Sequence, residues 1–384
     1  MKLPLRKRLV EPLFEREDAG INRSLRVFNR SEGVLDLSNN DYFGLSEDPE
    51  IVKTAQEALR LFGCSASASP LITGFGPAHE QLLYALEDWH GYDHGMIWNS
   101  GYAANQAILG SLPRKGDIVL ADRLIHKSMI SGILKSGARL VRYRHCDTEH
   151  LEELLEKHDA SGRIVFVVTE SVFSMDGDYP DLAEIAKLKE RYGFFWIVDE
   201  AHALGWYGER GSGLVELFGV ERSVDILVGT LGKALGSMGA YSLFLDQDVK
   251  SYLINFADEF IYSTYLPPSA ASAARQAVSR LVALRKERET FAANSLRFRK
   301  RLAEEGLQVY LNDSPIVSLL LGEPECALRA ARRLEGQGIA VAAIRPPTVP
   351  EGSSRLRLSL KAFLSREDLD GIAAKVVAAI GGES

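Results

Sequence analysis

Two stretches decide the fold: FFWIVDEAHALG (Phe194–Gly205) and DILVGTLGKALG (Asp225–Gly236). Each opens on a short apolar run rich in β-branched or aromatic residues. Each run stops at a polar residue, Asp199 or Thr230, and the chain then turns. Such a run has no polar face to give to water, so it fits a strand covered on both sides, as in a parallel sheet. Working outward, five more runs have the same character: HGMIWN (His94–Asn99), GDIVLA (Gly116–Ala121), ARLVRY (Ala138–Tyr143), RIVFVVTE (Arg163–Glu170) and AYSLFL (Ala240–Leu245). Helical stretches lie between them, among them HLEELLEKHD (His150–Asp159) and DLAEIAKLKERYG (Asp181–Gly193). The latter ends in basic residues and glycine, as helix C-termini do. Strand–helix alternation predicts an open α/β fold whose mainly parallel, seven-stranded sheet is flanked by helices.

The texture changes after residue 265. Residues 269–306 are expected to form one long helix. Short strands are expected at Ile316–Leu321, Ile339–Ala343 and Arg355–Leu360, giving a smaller α+β domain. Residues 1–44 are expected to be an arm with a short strand near Val34–Leu37, packing with the small domain. The expected borders are therefore 1–44, 45–280 for the large domain and 281–384 for the small one.

The chain has 384 residues, of which 46% are hydrophobic, enough for a large core. Its net charge of -7 argues against nucleic acid or an anionic membrane as main partner. No stretch approaches the roughly 18 apolar residues of a membrane span. Cys64, Cys146 and Cys326 form no CxxC pair, which suits a reducing cytoplasm.

In open α/β sheets, ligands bind beyond the carboxyl ends of the strands. There the sequence sets Asp199 and His202 after one run, and Thr230 and Lys233 after the next. It sets Ser174 after a third and Ser100-Gly101-Tyr102 after HGMIWN, with His126 ahead of ARLVRY. Each has an ordinary reading alone: a strand-end aspartate as a helix cap, a histidine as packing, a lysine as solvated surface. Together, in this order, they fit one chemistry. A lysine in a glycine-flanked turn can form an imine with an aldehyde. A carboxylate at the neighbouring strand end can keep a pyridine nitrogen protonated, making the ring an electron sink. Pyridoxal 5′-phosphate (PLP) is the cofactor with both features. Ser100, Gly101 and Tyr102 open a helix whose N-terminus suits a phosphate, and Thr230, Ser263 and Thr264 offer hydroxyls. His126 is expected to stack on the ring and His202 to bond its phenolic oxygen. A Walker loop fails, because its first glycine would be Leu227 and Ala234 follows the lysine. No G-x-G-x-x-G follows a strand, and no His/Cys cluster has metal spacing, so no metal is expected.

VDEAHALGWYGERGSG (Val198–Gly213), GTLGKALG (Gly229–Gly236) and SGYAANQA (Ser100–Ala107) resemble motifs of the α-oxoamine synthases, within the fold-type I PLP-dependent transferases. LSNNDYFGLS (Leu37–Ser46) and TESVFSMDGD (Thr169–Asp178) fit the same family, and the resemblance runs from about Leu37 to the C-terminus. It implies decarboxylative condensation of an amino acid with an acyl thioester. Lys233, Asp199, His202, His126, Thr230 and Ser174 fall on its cofactor positions. Ser263 and Thr264 fall on a phosphate contact donated across a homodimer, with the active site at the subunit interface. Lys233, Asp199, His202 and His126 are the expected catalytic set. AIRPPTVPEGSSRLRLSL (Ala343–Leu360) resembles the branch that uses L-alanine and a pimeloyl thioester, on CoA or acyl carrier protein. By that likeness Arg357 is similar to the arginine that binds the α-carboxylate and Asn40 to a substrate-site asparagine. Arg345 is placed toward the acyl chain's carboxylate or the carrier. The segment Cys64–Pro70 departs from the glycine-rich family loop, and its alanines are expected to restrict it. A member using glycine or serine stays open at this point, as does a catalytically silent subunit that keeps the fold.

Overall fold

The computed structural model describes residues 3–25, 27–28, 33–159 and 162–381. Twelve strands are assigned among them: β1 (Leu35–Asp36), β2 (His94–Trp98), β3 (Ile118–Asp122), β4 (Arg139–Tyr143), β5 (Val165–Glu170), β6 (Phe195–Asp199), β7 (Ile226–Thr230), β8 (Ala240–Phe244), β9 (Ile316–Gly322), β10 (Ile339–Ala340), β11 (Ala342–Ile344) and β12 (Ser354–Ser359). By packing they fall into two compact units. One contains Asn40–Ala292 and Lys361–Phe363, and the other contains Met1–Asn39, Ala293–Leu360 and Leu364–Ser384. The divisions therefore lie at 39/40 and inside a helix at 292/293, where borders at 44/45 and 280/281 were expected.

The first unit holds the seven-stranded sheet, ordered β2-β8-β7-β6-β5-β3-β4. All seven runs picked out of the sequence are its strands. From β7 through β6, β5 and β3 to β4 the pairing is parallel, while β8 runs antiparallel to β7 and β2. Six of the seven strands thus end at one edge. β6 shows why the sheet needs cover on both faces: Trp196, Ile197 and Val198 are all buried. Each such side chain contributes about 1.5–3 kcal/mol by leaving water.

The turn after β7 is fixed by two glycines. A Cβ on Gly229 would lie 2.2 Å from the Tyr241 ring on β8. Gly236 has φ +58°, and a Cβ there would meet the Ser46 backbone nitrogen at 2.4 Å. From Leu231 to Gly239 the chain closes on itself through Leu231 N to Gly239 O (2.9 Å), Gly236 N to Lys233 O (2.9 Å) and Ser237 N to Leu231 O (2.8 Å). Lys233 therefore stands on a rigid loop rather than a free one.

The expected long helix over 269–306 is two helices, Pro268–Ala283 and Arg285–Glu304, broken at Leu284. No proline or glycine marks the break. Tertiary capture makes it: the buried Arg288 guanidinium donates to the carbonyls of Leu281 and Glu209, so the first helix ends against a side chain.

In the second unit β12 lies between β11 and β9, antiparallel to both. The strand expected near Val34–Leu37 is β1, and it pairs in parallel with β10. The single strand expected over Ile339–Ala343 is split, because β10 joins β1 while β11 joins β12. Among the described residues no helix is long and apolar enough to cross a membrane.

Candidate functional site

The parallel strands deliver their polar ends to one edge of the sheet. β6 ends on Asp199, directly across from Glu170 on β5. Asp199 is buried. One carboxylate oxygen accepts from Ala201 N at 2.9 Å and the other from Asn105 Nδ2 at 2.8 Å. Its geometry is therefore set from two sides before any ligand arrives. Asn105, itself buried, also donates to Ser128 Oγ at 3.2 Å. Ser128 Oγ lies 2.7 Å from His126 Nδ1. A chain of hydrogen bonds thus ties Asp199 to His126.

Lys233 Nζ lies 2.7 Å from His202 Nε2. The other nitrogen of that buried ring lies 2.8 Å from the Tyr42 hydroxyl. His126 is exposed, yet desolvation by the surrounding protein lowers its pKa; nearby Asp199 opposes that and Lys233 reinforces it. Lys233, His202, Asp199 and His126 accordingly belong to one cluster. Glu170 sits behind it. Burial, followed by the charge of Asp199, pushes its pKa up to about 8, and its Oε1 has no hydrogen-bond partner. Glu200 does structural work: it accepts from Val215 N (2.6 Å), Ser171 Oγ (2.9 Å) and Leu214 N (3.1 Å), holding the start of the helix Leu214–Phe218.

The proposed phosphate end is built on the helix Gly101–Ser111. Ser100 is its N-cap, and Ser100 Oγ accepts from Ala103 N at 3.1 Å. The Tyr102 ring meets His126 edge-on with centroids 6.3 Å apart. Asn99 Nδ2 donates to the Thr264 carbonyl at 2.7 Å, which brings Ser263 and Thr264 of the same chain to this end. Thr230 Oγ1 is engaged in the lysine loop, donating to Gly239 O at 3.2 Å and accepting from Gly232 N at 3.2 Å. Ser174 lies half-buried in the loop after β5. Asn40 lies beside the cluster, its Oδ1 3.4 Å from the Tyr42 hydroxyl.

Two expected substrate residues belong to the other unit. Arg357 is buried on β12, donating to Ser359 Oγ at 3.1 Å. Arg345 donates to the Gly20 carbonyl at 2.7 Å. The Cys64–Pro70 segment carries its positive φ on Ser67 (+58°) and on neither alanine. Ser67 N bonds Ser65 Oγ at 3.0 Å, and a single π-helical turn, Pro70–Gly74, follows. Neither alanine takes a positive φ, as alanine's aversion to that region predicts, and the left-handed conformation falls on Ser67.

Sequence reasoning missed four features. Tyr42 lay inside LSNNDYFGLS and Asn105 inside SGYAANQA, but neither pattern says which residue turns inward. Ser128 had no signal. The fourth is a clasp at the ends of β3, β4 and β5. His145 Nδ1 meets Asp122 at 2.9 Å and His145 Nε2 meets Asp178 at 2.9 Å. Burial opposes charge on the ring, but bonds to Asp122, Asp178 and Cys146 raise its pKa to about 12. Asp122 also accepts from Leu124 N and Cys146 N, both at 2.8 Å. Nothing in the linear sequence signalled that three potential ligand groups come together here. Asp122, His145 and Cys146 offer an oxygen, a nitrogen and a sulfur within 4.8 Å of one another, which linear spacing concealed. Both ring nitrogens donate to carboxylates, so the group acts as an ion-pair clasp.

The donor set suits PLP: an amine on a fixed loop, a carboxylate at the next strand end, an imidazole beside the amine and a helix N-terminus across from them. Comparison with known proteins agrees. The sequence model of the aminotransferase class I and II family matches residues 32–376. The chain is 41% identical over 362 residues to the 8-amino-7-oxononanoate synthase of Chlorobaculum parvum, covering 93% of this chain and 92% of that one. It is 42% identical over 371 residues to the same enzyme of Geobacter metallireducens, covering 95% and 93%. In structure it resembles a serine palmitoyltransferase from S. paucimobilis with a bound PLP–myriocin aldimine, with TM-score 0.92, 26% identity and coverage of 100% and 99%. It also resembles the 8-amino-7-oxononanoate synthase of Francisella tularensis, with TM-score 0.79, 28% identity and coverage of 92% and 99%. The chain is therefore a PLP-dependent, acyl-transferring enzyme that belongs to the aminotransferase class I and II family and, within it, to the group of the 8-amino-7-oxononanoate synthases.

Proposed function

We propose that the chain joins L-alanine to a pimeloyl thioester, forming a carbon–carbon bond and releasing the thiol and CO2, in the biotin pathway. The observation that carries the reading is the 2.7 Å contact of Lys233 with His202, one strand away from the doubly anchored Asp199. PLP, when bound, supplies a carbonyl that captures amines and an electron sink for charge developing at the alanine Cα. Lys233 is the residue that would hold it, Asp199 would face the ring nitrogen and His202 the phenolic oxygen. Ser100, Gly101, Tyr102 and Thr230 would surround the phosphate end and Ser174 would be a further cofactor contact, with Ser263 and Thr264 donating a phosphate contact across a homodimer.

The remaining steps belong to the protein. Arg357 pairs with the alanine carboxylate and orients the Cα–H bond. Lys233, as a neutral amine, takes the Cα proton and later returns one. His126 covers the site and steadies the thioester oxygen as negative charge builds there. Asn40 contacts the substrate, and Arg345 meets the carboxylate of the acyl chain or its carrier, which is CoA or acyl carrier protein. The enzyme would work in the cytoplasm. Serine in place of alanine is a second reading, favoured by the likeness to serine palmitoyltransferase.

The test is thiol release by purified protein with alanine, glycine and serine against pimeloyl-CoA and a long-chain acyl-CoA. Release with alanine and the pimeloyl donor alone is expected, and Lys233→Ala should abolish it while the fold persists. Full activity in Lys233→Ala, or release with serine only, would refute the proposal.

A further inference from the structure

His79 is buried, and its two ring nitrogens face partners of opposite kind. The Gly76 backbone N–H, which can only donate, lies 3.1 Å from Nδ1. The Leu266 carbonyl, which can only accept, lies 2.7 Å from Nε2. Nδ1 therefore carries the lone pair and Nε2 the hydrogen, so the ring is neutral. Burial lowers its pKa, in keeping with a ring that stays uncharged. The Gly76 bond is local: it caps the helix Pro77–His90 from inside its first turn. The Leu266 bond is not, since it spans 187 positions of the chain.

Leu266 stands two residues after Thr264, in a stretch without helix or strand between the helices Asp258–Ile261 and Pro268–Ala283. Hydrogen bonds hold that stretch in place of regular structure. Asn99 Nδ2 donates to Thr264 O at 2.7 Å. Tyr265 N donates to Ala68 O at 2.9 Å, and the Tyr265 hydroxyl to Ile97 O at 3.1 Å. His79 secures the far end at Leu266, and its ring packs against that of Tyr265 with centroids 4.8 Å apart. Ser263 stays half-buried and Thr264 exposed. From these contacts we infer that His79 is a positioning residue which, through Leu266, presets Ser263 and Thr264 for the phosphate of the cofactor. The role rests on the reading of those two hydroxyls as a phosphate contact across a homodimer, but the tautomer does not. Segments ordered before a ligand arrives spare the ordering cost that binding would otherwise carry.

Asparagine and glutamine separate the two bonds of His79. In His79→Asn the amide oxygen can take the Nδ1 place toward Gly76 but the side chain falls short of Leu266. In His79→Gln the amide nitrogen can take the Nε2 place and reach Leu266. PLP and phosphate-free pyridoxal are titrated into the cofactor-free proteins. His79→Asn should bind PLP about tenfold more weakly, the worth of one hydrogen bond, with pyridoxal affinity held within about threefold. His79→Gln should recover most of the loss. The double variant Ser263→Ala, Thr264→Val should show the same selective loss of PLP affinity. Histidine 15N spectra should give the Nε2–H form for the one signal, of eight histidines, that is missing from both His79 variants. Equal weakening of PLP and pyridoxal by His79→Asn would mean a general structural role and overturns the inference. So does an unchanged PLP affinity while the double variant loses it, or an Nδ1–H form in the wild type. A silent double variant instead overturns the phosphate reading of Ser263 and Thr264, and the role of His79 falls with it.

Discussion

Replacing Glu170 with glutamine tests the electrostatics of the site through stability rather than turnover. Glu170 is 4% exposed and lies across from Asp199 on the adjacent strand. Burial first, then Asp199, raises its pKa from 4.5 to about 8. The folded protein therefore holds this proton over an interval in which the unfolded chain has lost it. Where the native state binds more protons, stability falls as pH rises. Below about 4.5 the group costs nothing. The cost then grows by about 1.36 kcal/mol per pH unit and levels off near pH 8, at about 5 kcal/mol. Glutamine keeps the shape and carries no proton to lose. The stability of Glu170→Gln relative to wild type should thus climb between pH 5 and pH 8. All four tryptophans, Trp89, Trp98, Trp196 and Trp206, belong to the unit containing Glu170, so urea unfolding followed by tryptophan fluorescence reports on that unit. Stability curves that stay parallel across this pH range would refute the reasoning.

Three further outcomes follow from other contacts. Asn105→Ala removes a buried hydrogen bond to the Asp199 carboxyl group, worth about 1–3 kcal/mol. PLP titrated into the cofactor-free variant should bind about tenfold or more weakly, and unchanged affinity would count against Asn105 as the anchor of Asp199. His145→Gln breaks a half-buried ion pair and leaves the buried Asp122 carboxylate without its counter-charge, at about 3–5 kcal/mol. Because the His145 pKa is raised to about 12, its contribution is complete below pH 6.5 and is lost as pH rises through 12. The deficit of His145→Gln in urea unfolding should therefore shrink from pH 6 to pH 9, and a pH-independent deficit would contradict the clasp. Gly236→Ala should destabilise the same unit by more than 1 kcal/mol, since its Cβ would meet the Ser46 backbone at 2.4 Å. A melting temperature equal to wild type would show that the loop can shift.

The sheet was legible because its inner strands are covered on both faces and so are written as apolar runs, and even the edge strand β4 keeps Leu140 and Val141 between its exposed arginines. The residues at the strand ends were legible for the same reason: Asp199 and Thr230 are where those runs stop. What stayed hidden depends on contacts distant in sequence. Arg288 breaks a helix by capturing the Leu281 carbonyl, and nothing local to Leu284 announces it. Tyr42 and His202 are 160 positions apart, so no spacing rule could pair them. Asn105 carries no mark that separates an inward amide from an outward one. In the loop at Cys64–Pro70, composition does not say which residue takes the left-handed conformation, and Ser67 does.

The clasp of Asp122, His145 and Asp178 also bears on how the chain reaches its native arrangement. Its members follow three different strands, and a slip of one residue between neighbours turns every side chain to the opposite face. A chain that mispaired β3 with β4 would strand a buried carboxylate without its counter-charge. In the native alignment the same imidazole reaches both the Asp122 and the Asp178 carboxylates at 2.9 Å, so this register is also the one in which those charges are paired.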